Sequence, residues 1–415
     1  MGHRIVVIGA GTGGTMTANL LARELKQDLA SDAITLTVVG DSAQHCFQPG
    51  NLDVAFRGVS PARFLHAERP LLEKQVRFID SGAARIDTTE RTVVLTDGQT
   101  LAYDHLILAT GAEARQDLIP GLAEHTLSFH LGPKVAQRIW ERLQDFRGGH
   151  IAVAIAEFPY KCPPSPNEAC FLLDELLRKR GLRDKTRITL LTPYPRAYPA
   201  EKVSHQVEER FKKLGIELGT FFSIGEAKPG ALVSLEGDEV ACDLAIVVPP
   251  HRGARLIADS GLGDKEGWVP TDKQTMRVTG QPGTYALGDC TNIPISKSGV
   301  VAHLQSLVVA KNVLADLGRD FGDWAYNGRI NCPMEVGDHR LLFVSATYEQ
   351  PPEENKPTII KYAMKKAFNR MYWSALSGKL EWMFELYFGP TATHRLPQVP
   401  GDEMGPKEET PPMAP

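Results

Sequence analysis

The sequence predicts an α/β protein with two Rossmann-like domains followed by an amphipathic C-terminal segment. Three observations carry this prediction. The apolar run at residues 5–8 leads directly into Gly9-x-Gly11-x-x-Gly14 and then into a helical stretch over 16–26. A second apolar run, at 151–155, opens another strand–turn–helix–strand unit. Beyond Pro333 the composition changes, and a basic, aromatic stretch with helical spacing runs over 359–388. A chain of 415 residues exceeds what one core ordinarily organises, so two or three domains are expected.

The first unit continues with a strand at 34–39, which completes strand, glycine-rich turn, helix and strand. In such a turn Gly9 permits the tight bend. Gly11 lets a pyrophosphate approach the backbone, and Gly14 lets helix and strand pack closely. The helix N-terminus then faces the phosphates. The plainer alternative is a tight turn with no ligand. Gly40 stands where an acidic residue is usual, and Asp41 follows it. Asp41 either binds the adenosine ribose or caps a turn. Further strands are expected at 92–95 and 106–109, then a helix at 135–146. The second unit adds a helix at 169–179 and strands at 188–191 and 244–248, the last stopped by Pro249-Pro250. A strand at 285–287 precedes Gly288-Asp289, a helix follows at 301–314, and 340–346 is strand-like. The expected division is 1–115 and 271–320 for one domain, 116–270 for the second, and 321–397 for a C-terminal region. Residues 398–415, rich in proline and acids, are expected to be disordered.

Composition excludes several classes. The net charge of −4 provides no global basic field for nucleic acid. No run of about 20 uncharged apolar residues could cross a bilayer. The start, Met1-Gly2-His3-Arg4, runs straight into the first strand, so no signal peptide is expected. The six cysteines, Cys46, Cys162, Cys170, Cys242, Cys290 and Cys332, match neither zinc spacing nor a disulfide scaffold, and no metal is expected.

Two more segments sharpen the nucleotide reading. Leu108-Ala109-Thr110-Gly111-Ala112 and Thr284-Tyr285-Ala286-Leu287-Gly288-Asp289 resemble motifs of the glutathione-reductase-like flavoproteins. The resemblance covers residues 1 to about 320. It implies FAD as cofactor, with Thr110, Gly111, Gly288 and Asp289 against it and Asp289 on the ribityl chain. In relatives that use pyridine nucleotides the second unit carries its own glycine turn. Here the strand is followed by Ala156-Glu157-Phe158-Pro159-Tyr160-Lys161-Cys162-Pro163-Pro164, with no glycine. Side chains and proline rings there block close approach of a pyrophosphate, so NADH is not the expected reductant.

Lys161-Cys162-Pro163-Pro164-Ser165-Pro166-Asn167-Glu168, together with Asn331-Cys332-Pro333, closely resembles two families. They are the sulfide:quinone oxidoreductases and the flavin subunit of flavocytochrome c sulfide dehydrogenase. The resemblance implies a redox-active Cys162–Cys332 disulfide beside the flavin. Hydrogen sulfide would attack it, or a bridging trisulfide. A thiolate or persulfide on Cys332 would then add to the flavin and pass two electrons to FAD. Sulfur would leave as polysulfide or another zero-valent species. Thiolates suit this chemistry as nucleophiles and exchange partners, and the prolines stiffen both loops. The alternative is a pair of unlinked structural thiols.

The same resemblance assigns further residues. Glu168 matches an acid near the sulfide channel; it either accepts a proton from hydrogen sulfide or sits at a helix N-terminus for the dipole. Many quinone-linked members carry a third cysteine in the stretch matching about 125–132, which here runs His125-Thr126-Leu127-Ser128-Phe129-His130 and holds none. Cys46 is its potential substitute. It is either joined to FAD through a thioether, as a cysteine of the flavocytochrome subunit is, or a noncovalent neighbour. His130 is either a general acid or base, or structural. Lys297 matches a lysine at the flavin's pyrimidine edge, where a positive charge stabilises the anionic reduced ring; otherwise it is a solvated loop residue. Cys170, Cys242 and Cys290 read as inert core thiols.

At the C-terminal end Ile360, Met364, Ala367 and Met371 recur at helical spacing, with Phe368, Tyr372 and Trp373 beside them. Between 356 and 388 six basic residues face two acids, a local +4 in a chain of −4. Such segments lie in the membrane interface and would flank a quinone pocket, with Phe368 and Tyr372 as candidates for the headgroup. The alternative is a dimer-packing or core-capping helix pair. The expected partners are hydrogen sulfide, a quinone and the membrane surface, at which the protein would be peripheral and monotopic. Family analogy adds further copies of the chain in a homo-oligomer. Three other readings stay open: electron transfer to a c-type haem subunit, a type II NADH dehydrogenase, and a flavin-binding redox sensor.

Overall fold

A computed structural model describes residues 2–320, 322–377, 380 and 392–396. The aromatic run expected at 381–388 and the tail at 398–415 lie outside the described residues.

Two parallel sheets organise the molecule. In the first, the strand order is Thr284–Ala286, His105–Leu108, His3–Ile8, Ile34–Gly40, Arg77–Asp80. In the second it is Glu217–Gly219, Thr186–Leu191, Gly149–Ile155, Leu244–Val248. Strands buried on both faces read as continuous apolar runs, and Ile5, Val6, Val7 and Ile8 are all buried. Ile8 pairs with both Val39 and Leu108, so three strands end together. Their carboxyl ends form the crevice in which such sheets bind ligands. The Thr284–Ala286 strand returns to the first sheet after the second unit is complete, which brings Gly288 and Asp289 to the same crevice.

Several elements differ from the sequence reading. The first helix begins at Thr12, not 16, because Gly13 and Gly14 lie inside it and hide its first turn. The Ser165–Lys179 helix likewise starts before 169; Pro166 is in its first turn, where no N–H is needed. The strands Arg77–Asp80 and Glu217–Gly219 sit at sheet edges and are short and half exposed, so they carry little apolar signal. Cys332 lies on a strand, Ile330–Glu335, paired antiparallel with Leu341–Ala346. Pro333 masked that strand, yet a two-stranded edge tolerates proline. The C-terminal helix spans Ile359–Leu376; the rest of the expected stretch, 381–388, lies outside the described residues.

The glycine turn explains itself sterically. Gly9 has φ of 108°, and a Cβ on it would fall 2.2 Å from the Ala109 carbonyl oxygen. A Cβ on Gly14 would fall 1.9 Å from the Gly9 oxygen, so helix and strand touch through bare backbone. At Gly40 a Cβ would meet that of Ala10 at 2.7 Å. The usual acidic side chain has no room there, and the carboxylate stands one residue later, at exposed Asp41. Gly14→Ala is therefore expected to push the helix off the strand and weaken FAD binding by about tenfold or more, or about 1.4 kcal/mol. Flavin retained per protein after dialysis measures this; full retention would contradict the packing role.

Candidate active site

One cavity of about 440 Å³ lies across the crevice. Every site residue singled out from the sequence lines it except Gly14, which packs beneath the turn. Asp41 stands at the end beside Gly9 and Gly11, and Cys46, Thr110, Gly111, Gly288 and Asp289 share the same wall system. No atom lies within 4 Å of where a Gly11 side chain would begin, which leaves the backbone open to a ligand. Asp289 Oδ1 and Thr110 Oγ1 are buried without hydrogen-bond partners. Buried polar atoms are seldom left so, and these two fit a hydroxyl-bearing cofactor such as FAD. Two helix N-termini, at Thr12 and Gly299, open on the same cavity and favour negative charge there. Among the described residues no cluster could hold a metal ion.

The two cysteines reach the cavity from different halves of the molecule. Cys162 ends the glycine-free turn after the Gly149–Ile155 strand. Its N–H donates to the Lys297 carbonyl at 2.8 Å, while its own φ is 90°. That backbone region strains an L-residue by about 1–3 kcal/mol and recurs at functional sites. Cys332 comes from the strand pair, its sulfur 3.6 Å from Ser296 Oγ and 3.7 Å from Ser298 Oγ. Both are free thiols here. Burial pushes both thiols above the ordinary cysteine value, and the Glu168 carboxylate adds to the effect at Cys162.

Behind the cysteines lies a buried charge cluster that the sequence reading did not contain. Lys365 Nζ donates to Glu168 Oε1 at 2.8 Å and sits 3.1 Å from Glu335 Oε1. Glu335 also pairs with Arg57, and its N–H donates to Glu168 at 2.9 Å. Burial alone would lower the Lys365 ammonium, but the two carboxylates outweigh it and hold it above the ordinary lysine value. The two acids diverge. Burial raises Glu168 against the pull of Lys365. At Glu335 burial is outweighed by Lys365 and Arg57, and the carboxyl lies below its ordinary range. The two carboxyls therefore differ: Glu335 holds its charge more firmly than Glu168.

The remaining candidates are placed as follows. His130 Nε2 lies 3.0 Å from Ser165 Oγ, and its Nδ1 is buried without a partner. Burial, with His251 and Lys161 nearby, holds it well below the ordinary histidine value. Lys297 is not a solvated loop residue. It is buried, and Nζ donates to the carbonyls of Asp289 and Thr291. Tyr372 is buried, with its hydroxyl 2.8 Å from both His45 Nε2 and Thr12 Oγ1. His45 Nδ1 meets Glu68 Oε2 at 2.8 Å, and Thr15 donates to Glu68 at 2.6 Å. The Tyr372 ring packs on Phe47 at 4.4 Å. This network fixes the C-terminal helix to the glycine turn. Phe368 lines the cavity one turn earlier.

The basic residues of the C-terminal helix do not all face outward. Lys365 is buried, Lys366 lies 3.2 Å from Asp53, and Lys361 donates to Asn355 at 2.7 Å. A charge that the fold buries must find a partner, and the acids of other elements supply them. Lys365 and Lys366 were thus legible only as surface charge.

The family model of pyridine nucleotide-disulphide oxidoreductases matches residues 3–310. The chain belongs to that family. Its cofactor is FAD. Among curated relatives, the mitochondrial sulfide:quinone oxidoreductase of Mus musculus is 23% identical, covering 90% of this chain and 86% of its own. The sulfide-quinone reductase of Aquifex aeolicus is 26% identical, covering 93% and 94%. The X-ray structure of the sulfide:quinone oxidoreductase from Aquifex aeolicus matches with a TM-score of 0.85 at 21% identity, covering 96% of this chain and 98% of that one. The two chains therefore share a fold over the matched residues.

Two outcomes follow from the charge cluster. Lys365→Met leaves two buried acids without their cation and is expected to cost about 3–5 kcal/mol in urea unfolding; a change within error would contradict the pairing. The folded-state value of Glu335 is depressed, so its stabilisation is complete above the unfolded value of about 4.3 and is lost as pH falls below it. Glu335→Gln should flatten the acid limb of a melting-temperature profile, and an unchanged limb would remove Glu335 from the cluster.

Proposed function

We propose that the protein oxidises sulfide at Cys162 and Cys332 and passes the electrons through FAD to a quinone at a membrane surface. One observation carries this reading: both cysteines, the glycine turn and the C-terminal helix line a single cavity. The end-to-end likeness to sulfide:quinone oxidoreductases supports it.

In the oxidised pair a disulfide carries no charge, so burial does not disfavour it. Hydrosulfide attacks one sulfur; one S–S bond forms and one breaks, leaving a persulfide and a thiolate. No electrons leave in that step. Glu168, raised by burial, accepts the proton when hydrogen sulfide arrives neutral. Bound FAD supplies the two-electron acceptor. Quinone takes up those two electrons with two protons. Neutral His130 keeps a second positive charge away from the sulfurs, and the Asp289 carboxylate orients the cofactor's hydroxyl chain.

The C-terminal helix offers the membrane contact. Ile359, Ile360 and Met364 are 58%, 74% and 40% exposed, an apolar patch suited to the interface. No helix among the described residues is long and apolar enough to cross a membrane. Phe368 and Tyr372 flank the quinone headgroup in this reading, Tyr372 with its hydroxyl held by His45 and Thr12. Assembly into a homo-oligomer belongs to the same reading.

Sulfide added anaerobically to the holoenzyme is expected to bleach the flavin, and a ubiquinone analogue to restore its colour. Cys162→Ser and Cys332→Ser should each slow bleaching by about a thousandfold or more. Absence of bleaching by sulfide overturns the proposal, and bleaching by NADH would favour an NADH dehydrogenase instead. Acid precipitation decides the role of Cys46: yellow colour left wholly in the supernatant rules out a thioether.

A further inference from the structure

Three lysines line the cavity near the cysteines: Lys161, Lys297 and Lys365. Two of them are occupied. Lys297 donates to two carbonyls, at 2.9 and 2.8 Å, and its ammonium stands 3.9 Å from the centroid of the Trp268 ring. Lys365 is clamped between Glu168 and Glu335. The Lys161 ammonium has no hydrogen-bond or ion-pair partner among the described residues.

The backbone of Lys161 is nevertheless held firmly. It pairs with Lys297 in a parallel bridge, and the next residue, Cys162, makes the 2.8 Å hydrogen bond to the same carbonyl. Its charge is felt across the cavity. It lowers the thiol of Cys46 and the carboxyl of Asp289 against the effect of burial, and it disfavours protonation of His130 and His251. Burial lowers the Lys161 ammonium from the ordinary lysine value, and Asp289, Cys46 and Cys162 pull it back up; an ammonium with free donors, one residue from Cys162, gains by taking an anion.

We infer that Lys161 is the anion-docking residue of the cavity, which receives hydrosulfide and then holds the negative charge left on sulfur. The inference rests on the proposed sulfide chemistry. The charge count matches. Hydrosulfide brings one negative charge, and opening the Cys162–Cys332 bond conserves it: one S–S bond forms, one breaks, and the charge moves to the departing thiolate. Both thiols are buried groups that resist ionisation, so this thiolate needs one counter-ion. Lys365 lowers the Cys162 thiol but is shared by two carboxylates, and Lys297 spends its donors on two carbonyls; the Lys161 ammonium, which couples to Cys162, supplies the remaining charge.

The test compares Lys161→Met and Lys161→Arg with the unaltered holoenzyme in anaerobic rapid mixing. Lys161→Met is expected to raise the sulfide concentration for half-maximal bleaching rate by about tenfold or more, and Lys161→Arg by about threefold or less. A second readout is independent of turnover. After reduction with dithiothreitol, alkylation of Cys162 by iodoacetamide at pH ~8 should be about tenfold slower in Lys161→Met, because its thiolate has lost its counter-ion. Unchanged sulfide dependence or unchanged alkylation overturns the inference. If Lys161→Met loses FAD, azide competition in the unaltered holoenzyme decides. Azide raises the half-maximal sulfide concentration if the ammonium docks anions, and leaves it unchanged if it does not. Failure of sulfide to bleach the unaltered enzyme would instead defeat the sulfide reading itself.

Discussion

The hydrogen bond from the Cys162 N–H to the Lys297 carbonyl joins the two halves of the active site. One partner ends the turn that a pyridine nucleotide would occupy in a glycine-bearing relative. The other opens the helix that closes the first domain. This bond holds the second unit's turn against the loop that follows Gly288-Asp289. Cys162 then stands at φ of 90°, and Lys161 and Lys297 run side by side in the cavity wall.

Burial sets the chemistry of everything around that bond. Thiols in this cavity resist ionisation, a disulfide does not feel the penalty, and a carboxylate survives only beside a cation. Lys365 therefore decides the behaviour of two acids. It serves Glu335 together with Arg57, and that carboxylate stays charged. It serves Glu168 less completely, and burial raises that carboxyl. A second buried chain, Glu68–His45–Tyr372–Thr12, fastens the C-terminal helix to the glycine turn. The helix that bears the exposed Ile359 and Ile360 is thus coupled mechanically to the cofactor site.

Much of this was legible from sequence. Gly9, Gly11 and Gly14 announce themselves because only glycine fits backbone contacts that close, and apolar runs announce strands buried on both faces. Cys162 and Cys332 were found because their loops resemble those of the sulfide:quinone oxidoreductases. What escaped the sequence was partnership. Nothing in the order of residues says that Lys365 turns inward to acids roughly 200 and 30 positions away, or that Tyr372 meets His45. Lys161 was hidden in plain view, as one more residue of a distinctive loop, until the hydrogen bonds of Lys297 and Lys365 showed it to be the lysine left over. The short edge strands Arg77–Asp80 and Glu217–Gly219 escaped for another reason: half-exposed edges carry too little apolar pattern.

The pairing of Cys162 with Cys332 is tested most directly by anaerobic reductive titration of the oxidised holoenzyme with dithionite. A redox-active pair takes up two electrons in addition to those that reduce the flavin. The unaltered protein should therefore consume twice the reductant per FAD that Cys332→Ser consumes. Equal consumption by the two proteins, with the flavin alone reduced in each, would contradict a redox-active pair.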